Sequence, residues 1–95
     1  MVILVFLLAT LTVAQIPDAI RAAPADVRTF IERRQSCNHW GGEDPYDAAR
    51  ATEVESAARA LRCTRLGVDE KALRRRHARN PAVQDLLTRT AEWIE

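Results

Sequence analysis

Both cysteines, both histidines and one nearby glutamate are the side chains of this sequence most suited to metal binding, covalent bonding or proton transfer. Cys37, His39 and Glu43 lie in one segment with the sequence CNHWGGE, and Cys63 and His77 follow further along the chain. Two cysteines can form a disulfide, bind a metal as thiolates or act as a redox pair. Because these two are not in a Cys-x-x-Cys arrangement, a thioredoxin-like role has little support.

A zinc site is the first alternative. Cys37, His39, Cys63 and His77 together offer the two sulfur and two nitrogen ligands of a tetrahedral site. Their spacing is unusual, since one residue separates Cys37 from His39, and His77 lies fourteen residues after Cys63 with no second ligand beside it. Zinc binding therefore stays the alternative interpretation, and we predict no cofactor.

A catalytic pair is the second alternative. His39 and Glu43 flank the Gly41-Gly42 pair and could serve as an acid and a base, or bind a divalent ion. A structural interpretation is simpler: His39 hydrogen bonds a helix end, and Glu43 pairs with an arginine such as Arg50. We therefore predict no catalytic residue and no enzyme.

The first fourteen residues, MVILVFLLATLTVA, contain no charged side chain. As a helix this run is about 20 Å long, short of the roughly 30 Å hydrocarbon layer, and it fits a signal peptide better than a membrane span. No lysine or arginine precedes it, so a retained anchor and an apolar first helix stay open. We predict a signal peptide or anchor at 1–14, a linker or frayed helical lead-in at 15–23, and a domain at 24–95 that is periplasmic or secreted.

Export favours a disulfide between Cys37 and Cys63, because exported domains of this size have a marginal core and commonly carry disulfides. The bond also constrains the fold. A tight helical hairpin turning at Gly41-Gly42 would leave Cys63 about 27 Å along the second helix, too far for the bond. We predict that residues 38–44 run back as an extended, ordered loop held down by Trp40 and Tyr46. Steeply crossed helices and a late start of the second helix stay open.

The apolar pattern predicts an all-α bundle of three or four short helices. They begin at Pro24, Pro45, Glu70 and Pro81 and run to about Cys37, Leu66, Arg79 and Ile94. The expected caps are Asp44, Asp69 and Asn80, with Gly67 ending the second helix.

Two of these helices have a clear apolar side. In the first, Val27, Phe30, Ile31 and the stem of Arg34 face inward, while Glu32, Arg33 and Gln35 face water. In the last, one face carries Val83, Leu86, Leu87, Thr90 and Ile94, with Trp93 at its border. The inward residues of the other two helices are Val54, Ala57, Ala58, Leu61 and Leu73, with His77 as a further candidate.

Several features of the chain are similar to a group of small exported proteins of Gram-negative bacteria. Those proteins have a Cys-Asp-His-Phe-x-Gly-Glu segment, an acidic and basic helix, a second Cys, an Asp with a following Leu, and a terminal Pro-x-Val. Here the corresponding features are CNHWGGE, Asp47, Arg50, Cys63, Asp69, Leu73 and the PAV at 81–83. The resemblance covers about residues 27–87 and departs at Asn38 and Trp40. The group has no assigned activity, so the resemblance implies export and the disulfide but no catalytic residue.

A net charge of +1 implies no strong attraction to nucleic acid or to an acidic membrane. The basic run LRRRHAR at 73–79 lacks interleaved aromatic residues, so we predict no nucleic-acid partner. Its Arg74, Arg75 and Arg79 could instead meet an acidic partner or a phosphate-bearing lipid. We predict a non-enzymatic binding or accessory module of the cell envelope, with an unknown envelope component as partner and membrane contact only through an uncleaved leader. The predicted binding surface consists of His39, Trp40, Glu43, Tyr46, Arg74 and Arg75.

Overall fold

Helices account for most of the chain that the computed structural model describes, which is residues 12–92, and no strand occurs in that range. The five α-helices are α1 (Ile16–Ala22), α2 (Ala25–Gly41), α3 (Ala48–Ala60), α4 (Leu66–Arg76) and α5 (Pro81–Ala91). Two single 3-10 turns, Val13–Gln15 and Cys63–Arg65, precede α1 and α4. One disulfide joins Cys37 to Cys63. The predicted all-α domain with one disulfide is therefore confirmed, with one helix more than expected.

The core lies where the predicted apolar sides of α2 and α5 meet. Val27, Phe30 and Ile31 of α2 are buried, and the stem of Arg34 continues their side as predicted. The buried residues on α5 are Val83, Leu86, Leu87 and Thr90. Leu73 of α4 and Ile16 of α1 complete the apolar cluster. Spacing of three and four residues is sufficient to place these side chains on the inner face of each helix.

The segment before α2 is a packed helix. Residues 15–23 were expected to be a linker or a frayed helical lead-in, yet Ile16 is only 4% exposed and belongs to the core cluster. A helix of seven residues is marginal by itself, so its burial against α2 and α5 is what stabilises it. None of the helices within residues 12–92 is long and apolar enough to cross a membrane. Predictions for residues 1–11, Trp93 and Ile94 lie outside the described residues.

The limits of α3 differ from the prediction at both ends. Asp47, rather than Asp44, caps the helix, and its carboxylate accepts the amide of Arg50 at 2.8 Å. Asp44 is followed by Pro45 and Tyr46, whereas Asp47 is followed by two alanines. Because alanine is the best helix former, the later start is favourable. The helix ends at Ala60 because Arg62 adopts a left-handed conformation, with φ 55° and ψ 48°.

Further along, the boundaries of α4 correct two more predicted signals. Gly67 lies within α4 and does not end the preceding helix. Asp69 lies in the first turn of α4 and does not cap it, while Asn80 caps α5 as predicted by accepting the amide of Val83 at 3.2 Å. The end of α3 at Ala60, earlier than predicted, and the start of α4 at Leu66 place Cys63 in a turn between two helices.

That turn is what makes the disulfide possible. The Cα atoms of Cys37 and Cys63 are 5.6 Å apart, within the range that the bond requires. The predicted extended loop at 38–44 is wrong, because α2 continues through Gly41. Residues 42–47 connect the two helices, and α3 begins only at Ala48. The late start of the second helix, one of the three predicted solutions, is therefore observed.

Candidate functional site

The last turn of α2 and the loop at 42–47 bring together four of the six predicted surface residues. Glu43 follows the end of α2, and its Oε1 accepts from Arg50 Nη2 at 3.1 Å, as predicted. His39 Nε2 is 3.6 Å from the same oxygen, so His39 meets a side chain and not the helix end that we expected. Arg50 therefore joins α3 to the loop through Glu43.

Arg50 is the centre of this cluster. Its guanidinium lies over the Trp40 ring at 5.2 Å from the ring centroid and also donates to Glu53 at 2.8 Å. The carboxylates of Glu43 and Glu53 raise the pKa of the Arg50 guanidinium. A cation between two carboxylates and an aromatic face fixes the relative positions of α2, the loop and α3.

Tyr46 projects from the same loop into solvent, with 84% of its surface exposed. The prediction that Tyr46 holds the loop down is therefore wrong. Because α3 begins at Ala48, Tyr46 falls in the bend before the helix. The Glu43–Arg50 pair and the Asp47 cap hold the loop instead. The loop thus presents an aromatic side chain from a backbone that is held on both sides.

The geometry of His39 and Glu43 gives little support to acid and base chemistry. His39 is more than half exposed, and Glu43 is already paired with Arg50. His39 lines a shallow cleft together with Glu32, Gln35, Ser36 and Trp40, and Glu43 is not part of its lining. A catalytic pair needs a shared pocket in which a substrate can contact both groups.

Arg33 holds the disulfide end of the molecule together, although we expected it to face water. Its Nε donates to the Leu61 carbonyl at 2.6 Å, and its Nη2 donates to the Arg62 carbonyl at 3.1 Å. The same Nη2 is 2.7 Å from Asp69 Oδ2. Arg33 therefore satisfies carbonyls left open at the end of α3 and links them to α4. The sequence spacing indicates that Arg33 lies near the disulfide, since Arg33 is one turn before Cys37 on α2.

Arg34 lies beside Arg33 on α2 and points into the core. It is 7% exposed, donates to the Leu87 carbonyl at 2.8 Å and is paired with Glu70. It also donates to the hydroxyl of Thr90. Desolvation lowers the pKa of Arg34, and the charge of Glu70 opposes that effect. Its role is to join α2, α4 and α5 within the fold.

The two predicted surface arginines of α4 do not lie in the loop cluster. Arg74 connects α4 to α5, donating to Gln84 Oε1 at 3.1 Å and to the Thr88 hydroxyl at 3.1 Å. Arg75, the next residue, is exposed. The predicted surface is therefore divided: His39, Trp40, Glu43 and Tyr46 lie at the loop, and Arg74 and Arg75 lie on α4.

The four residues of the zinc alternative are not assembled. The sulfurs of Cys37 and Cys63 are bonded to each other and cannot act as thiolate ligands in this state. His77 Nε2 lies 3.0 Å from Asp26 Oδ2. Within residues 12–92 no group of three or more His, Cys, Asp or Glu side chains is arranged to hold a metal ion.

No protein-family model, curated protein or solved structure matches this chain. The site must therefore be interpreted from its own geometry. The disulfide indicates a location outside the reducing cytoplasm. The candidate functional site is the loop cluster, which consists of His39, Trp40, Glu43, Tyr46 and Arg50.

Proposed function

We propose that this chain is an exported, non-enzymatic helical module that binds an envelope protein through the loop cluster. Tyr46 carries the proposal, because it is an aromatic side chain that is 84% exposed on a loop fixed at both sides. Aromatic side chains are enriched among the residues that dominate binding energies at protein interfaces. A loop that is already ordered loses little conformational entropy when it binds.

Export is supported by two independent features. The apolar first fourteen residues have the composition of a signal peptide or an N-terminal anchor. The Cys37–Cys63 disulfide is of the kind that persists in oxidising compartments. A periplasmic or secreted location accounts for both features. The resemblance of the CNHWGGE segment to small exported proteins of Gram-negative bacteria also supports this location.

Export can be tested with a reporter enzyme that folds only outside the cytoplasm. The full chain fused to this reporter should give activity, and the same fusion without residues 1–14 should give none. The intact mass of the isolated protein should be lower by two hydrogen atoms without reductant than with it, because the two thiols are oxidised to a disulfide. Equal reporter activity from both fusions, or two free thiols in the isolated protein, would argue against an exported module.

Binding can be tested by placing a photo-crosslinking amino acid at Tyr46 in cells. Ala82, an exposed residue of α5, is the matched control position. We expect an envelope protein to be crosslinked from Tyr46 and not from Ala82. Tyr46→Ala should abolish capture of that protein while changing the stability by less than about 0.5 kcal/mol, since the side chain is exposed. Identical crosslinking from both positions would show that the loop is not the binding surface.

A further inference from the structure

The near-neutral net charge conceals a strong separation of charge along the chain. Residues 59–79 contain eight arginines and lysines but only two carboxylates, whereas the rest of the chain contains six basic residues and eleven acidic ones. The first stretch therefore has a formal charge of +6 and the rest has −5. A protein with this distribution can attract a polyanion to one face even though its total charge is +1.

Most basic side chains outside this stretch are already engaged. Arg21, Arg50 and Arg89 form ion pairs with nearby carboxylates, and Arg28 donates to a backbone carbonyl. Arg33 and Arg34 hold the fold together, as described above. Within residues 12–92, six exposed basic side chains make no hydrogen bond or ion pair, and all six lie in the 59–79 stretch. They are Arg59, Arg62, Arg65, Lys71, Arg75 and Arg79, here called the basic face.

Three of the six residues share one cleft. Arg59, Arg62 and Arg65 line it together with Cys63 and Thr64, and its volume is ≈ 410 Å³. Glu55 also lines this cleft and offsets one of the three positive charges. The turn that holds the cleft is anchored by the disulfide and by the bond from Arg33 to the Arg62 carbonyl.

Two more residues of the basic face lie on the solvent side of α4, which begins directly after the Cys63–Arg65 turn. Lys71 and Arg75 each lie two residues from buried Leu73, so they point almost directly away from the core. Val68, on the same side and one turn before Lys71, is 53% exposed. An exposed apolar side chain thus lies among the cations.

We propose that the basic face binds the phosphate groups of a bilayer that contains anionic phospholipid. Six separate cations on an extended surface match many phosphates spread over a plane better than they match one small anion. The guanidinium fork fits phosphate oxygens in a bidentate manner. A bilayer that contains anionic phospholipid presents such an extended array of phosphates, and an exported chain would face a membrane surface. This proposal rests on the export part of the proposed function and is independent of Tyr46.

Vesicle co-sedimentation of the oxidised full chain tests the proposal. One set of vesicles contains phosphatidylcholine with about one third phosphatidylglycerol, and the other contains phosphatidylcholine alone. The apolar residues 1–14 can partition into both sets of vesicles. The difference in binding between the two sets therefore measures the effect of charge. We expect preferential binding to the anionic vesicles that is lost when NaCl is raised from 50 to 500 mM.

Charge variants localise the effect. The triple variant Arg65→Gln, Lys71→Gln, Arg75→Gln should weaken binding to anionic vesicles about 100-fold, because each lost charge lowers the affinity about fivefold. The matched control Arg21→Gln, Arg28→Gln, Arg89→Gln removes the same net charge outside the basic face and should weaken binding less than about threefold. Circular dichroism of both variants checks that each is folded.

Four results would overturn the proposal. They are equal binding to both kinds of vesicle, equal loss in both triple variants, tighter binding to a DNA duplex than to anionic vesicles at the same salt, and release by millimolar inorganic phosphate at constant ionic strength. The assay uses purified protein and requires neither export nor the loop cluster. Its failure would therefore remove the lipid proposal alone, and failure of the reporter test would remove export.

Discussion

The two ends of this molecule are stabilised by different kinds of interaction. At the core end, eight apolar side chains from α1, α2, α4 and α5 are buried together. At the disulfide end, α3 contributes no buried residue at all. The alanine-rich α3 is instead attached by the Cys37–Cys63 bond, by Arg33 at its C-terminal end and by Arg50 near its start. A helix with so little apolar surface to bury relies on covalent and polar contacts.

The neighbouring residues Arg33 and Arg34 make their contacts at different ends of the molecule. Arg34 enters the core and joins three helices, whereas Arg33 bonds the turn that follows α3. We therefore expect a core that folds cooperatively and an attached helix, α3, of lower local stability. Regions of low local stability open independently of the core in many proteins. The first three predictions test that division, and the last measures a polar link within the core end.

The largest expected effect is at the core. Leu87 is fully buried, so Leu87→Ala should lower the free energy of unfolding by about 3–4 kcal/mol through lost burial and the cavity left behind. Thermal unfolding followed by circular dichroism measures the change. Val68→Ala is the control, since Val68 is 53% exposed and its truncation should cost less than about 0.5 kcal/mol. Similar losses in both variants would contradict the assignment of the core.

Removing the disulfide should act mainly on the other end. The bond closes a separation of 26 residues, and the chain-entropy model gives it about 3 kcal/mol. In Cys37→Ser, Cys63→Ser we expect the amides of α3 to lose most of their protection from hydrogen exchange, while those of α5 keep theirs. Reductant should reproduce the result in the wild type and leave the double variant unchanged. Equal loss of protection in α3 and α5 would show that the two ends unfold as one unit.

A smaller effect is expected from Arg33→Met, which keeps much of the side-chain stem but removes three hydrogen bonds. Charge-assisted hydrogen bonds of this kind contribute about 1–2 kcal/mol in total once desolvation is included. Hydrogen exchange should increase at residues 57–65 and not in α5. Arg33→Lys is the control, and it should recover only part of the loss because lysine lacks the planar fork. Faster exchange in α5 than in α3 would contradict a local role.

The sequence was most informative where apolar side chains repeat strongly. Val27, Phe30, Ile31 and Arg34 were assigned to one side of a helix, and all four are buried. The same spacing identified the inner face of α5. Strong periodicity works because burial of large side chains outweighs the other preferences of a helix.

Prediction failed where the signals were weak or nonlocal. Asp44 and Asp47 are both residues that commonly cap helices. A cap at Asp44 would place Tyr46 in the helix, whereas the observed cap at Asp47 places it in the bend before the helix. The end of α3 has no glycine to mark it, because Arg62 takes the left-handed conformation that glycine usually provides. The role of Arg33 depends on the disulfide, which brings residues 61–63 next to α2. The Glu43–Arg50 pair could be predicted from the sequence because both residues lie close to the same short loop.

The smallest predicted effect concerns a polar link between α2 and the end of α4. Hydrogen bonds from His77 and then Arg76 lower the pKa of Asp26 to about 2, from an ordinary value of 3.8. Folding therefore favours the ionised carboxylate, and this contribution is present above about pH 4 and lost as the pH falls toward about 2.

Asp26→Asn should consequently lower Tm by a few degrees at pH 6, since the pair is partly exposed and such pairs contribute modestly. The difference between variant and wild type should shrink as the pH is lowered from about 4 to about 2, where the wild-type carboxyl also becomes neutral. Asp44→Asn, at an exposed position of the loop, is the control for a general effect of removing one negative charge. A Tm difference for Asp26→Asn that stays constant from pH 6 to pH 2 would mean that the ionised carboxylate does not stabilise this contact. In that case the link between α2 and α4 would depend on Arg33, Arg34 and Leu73 instead.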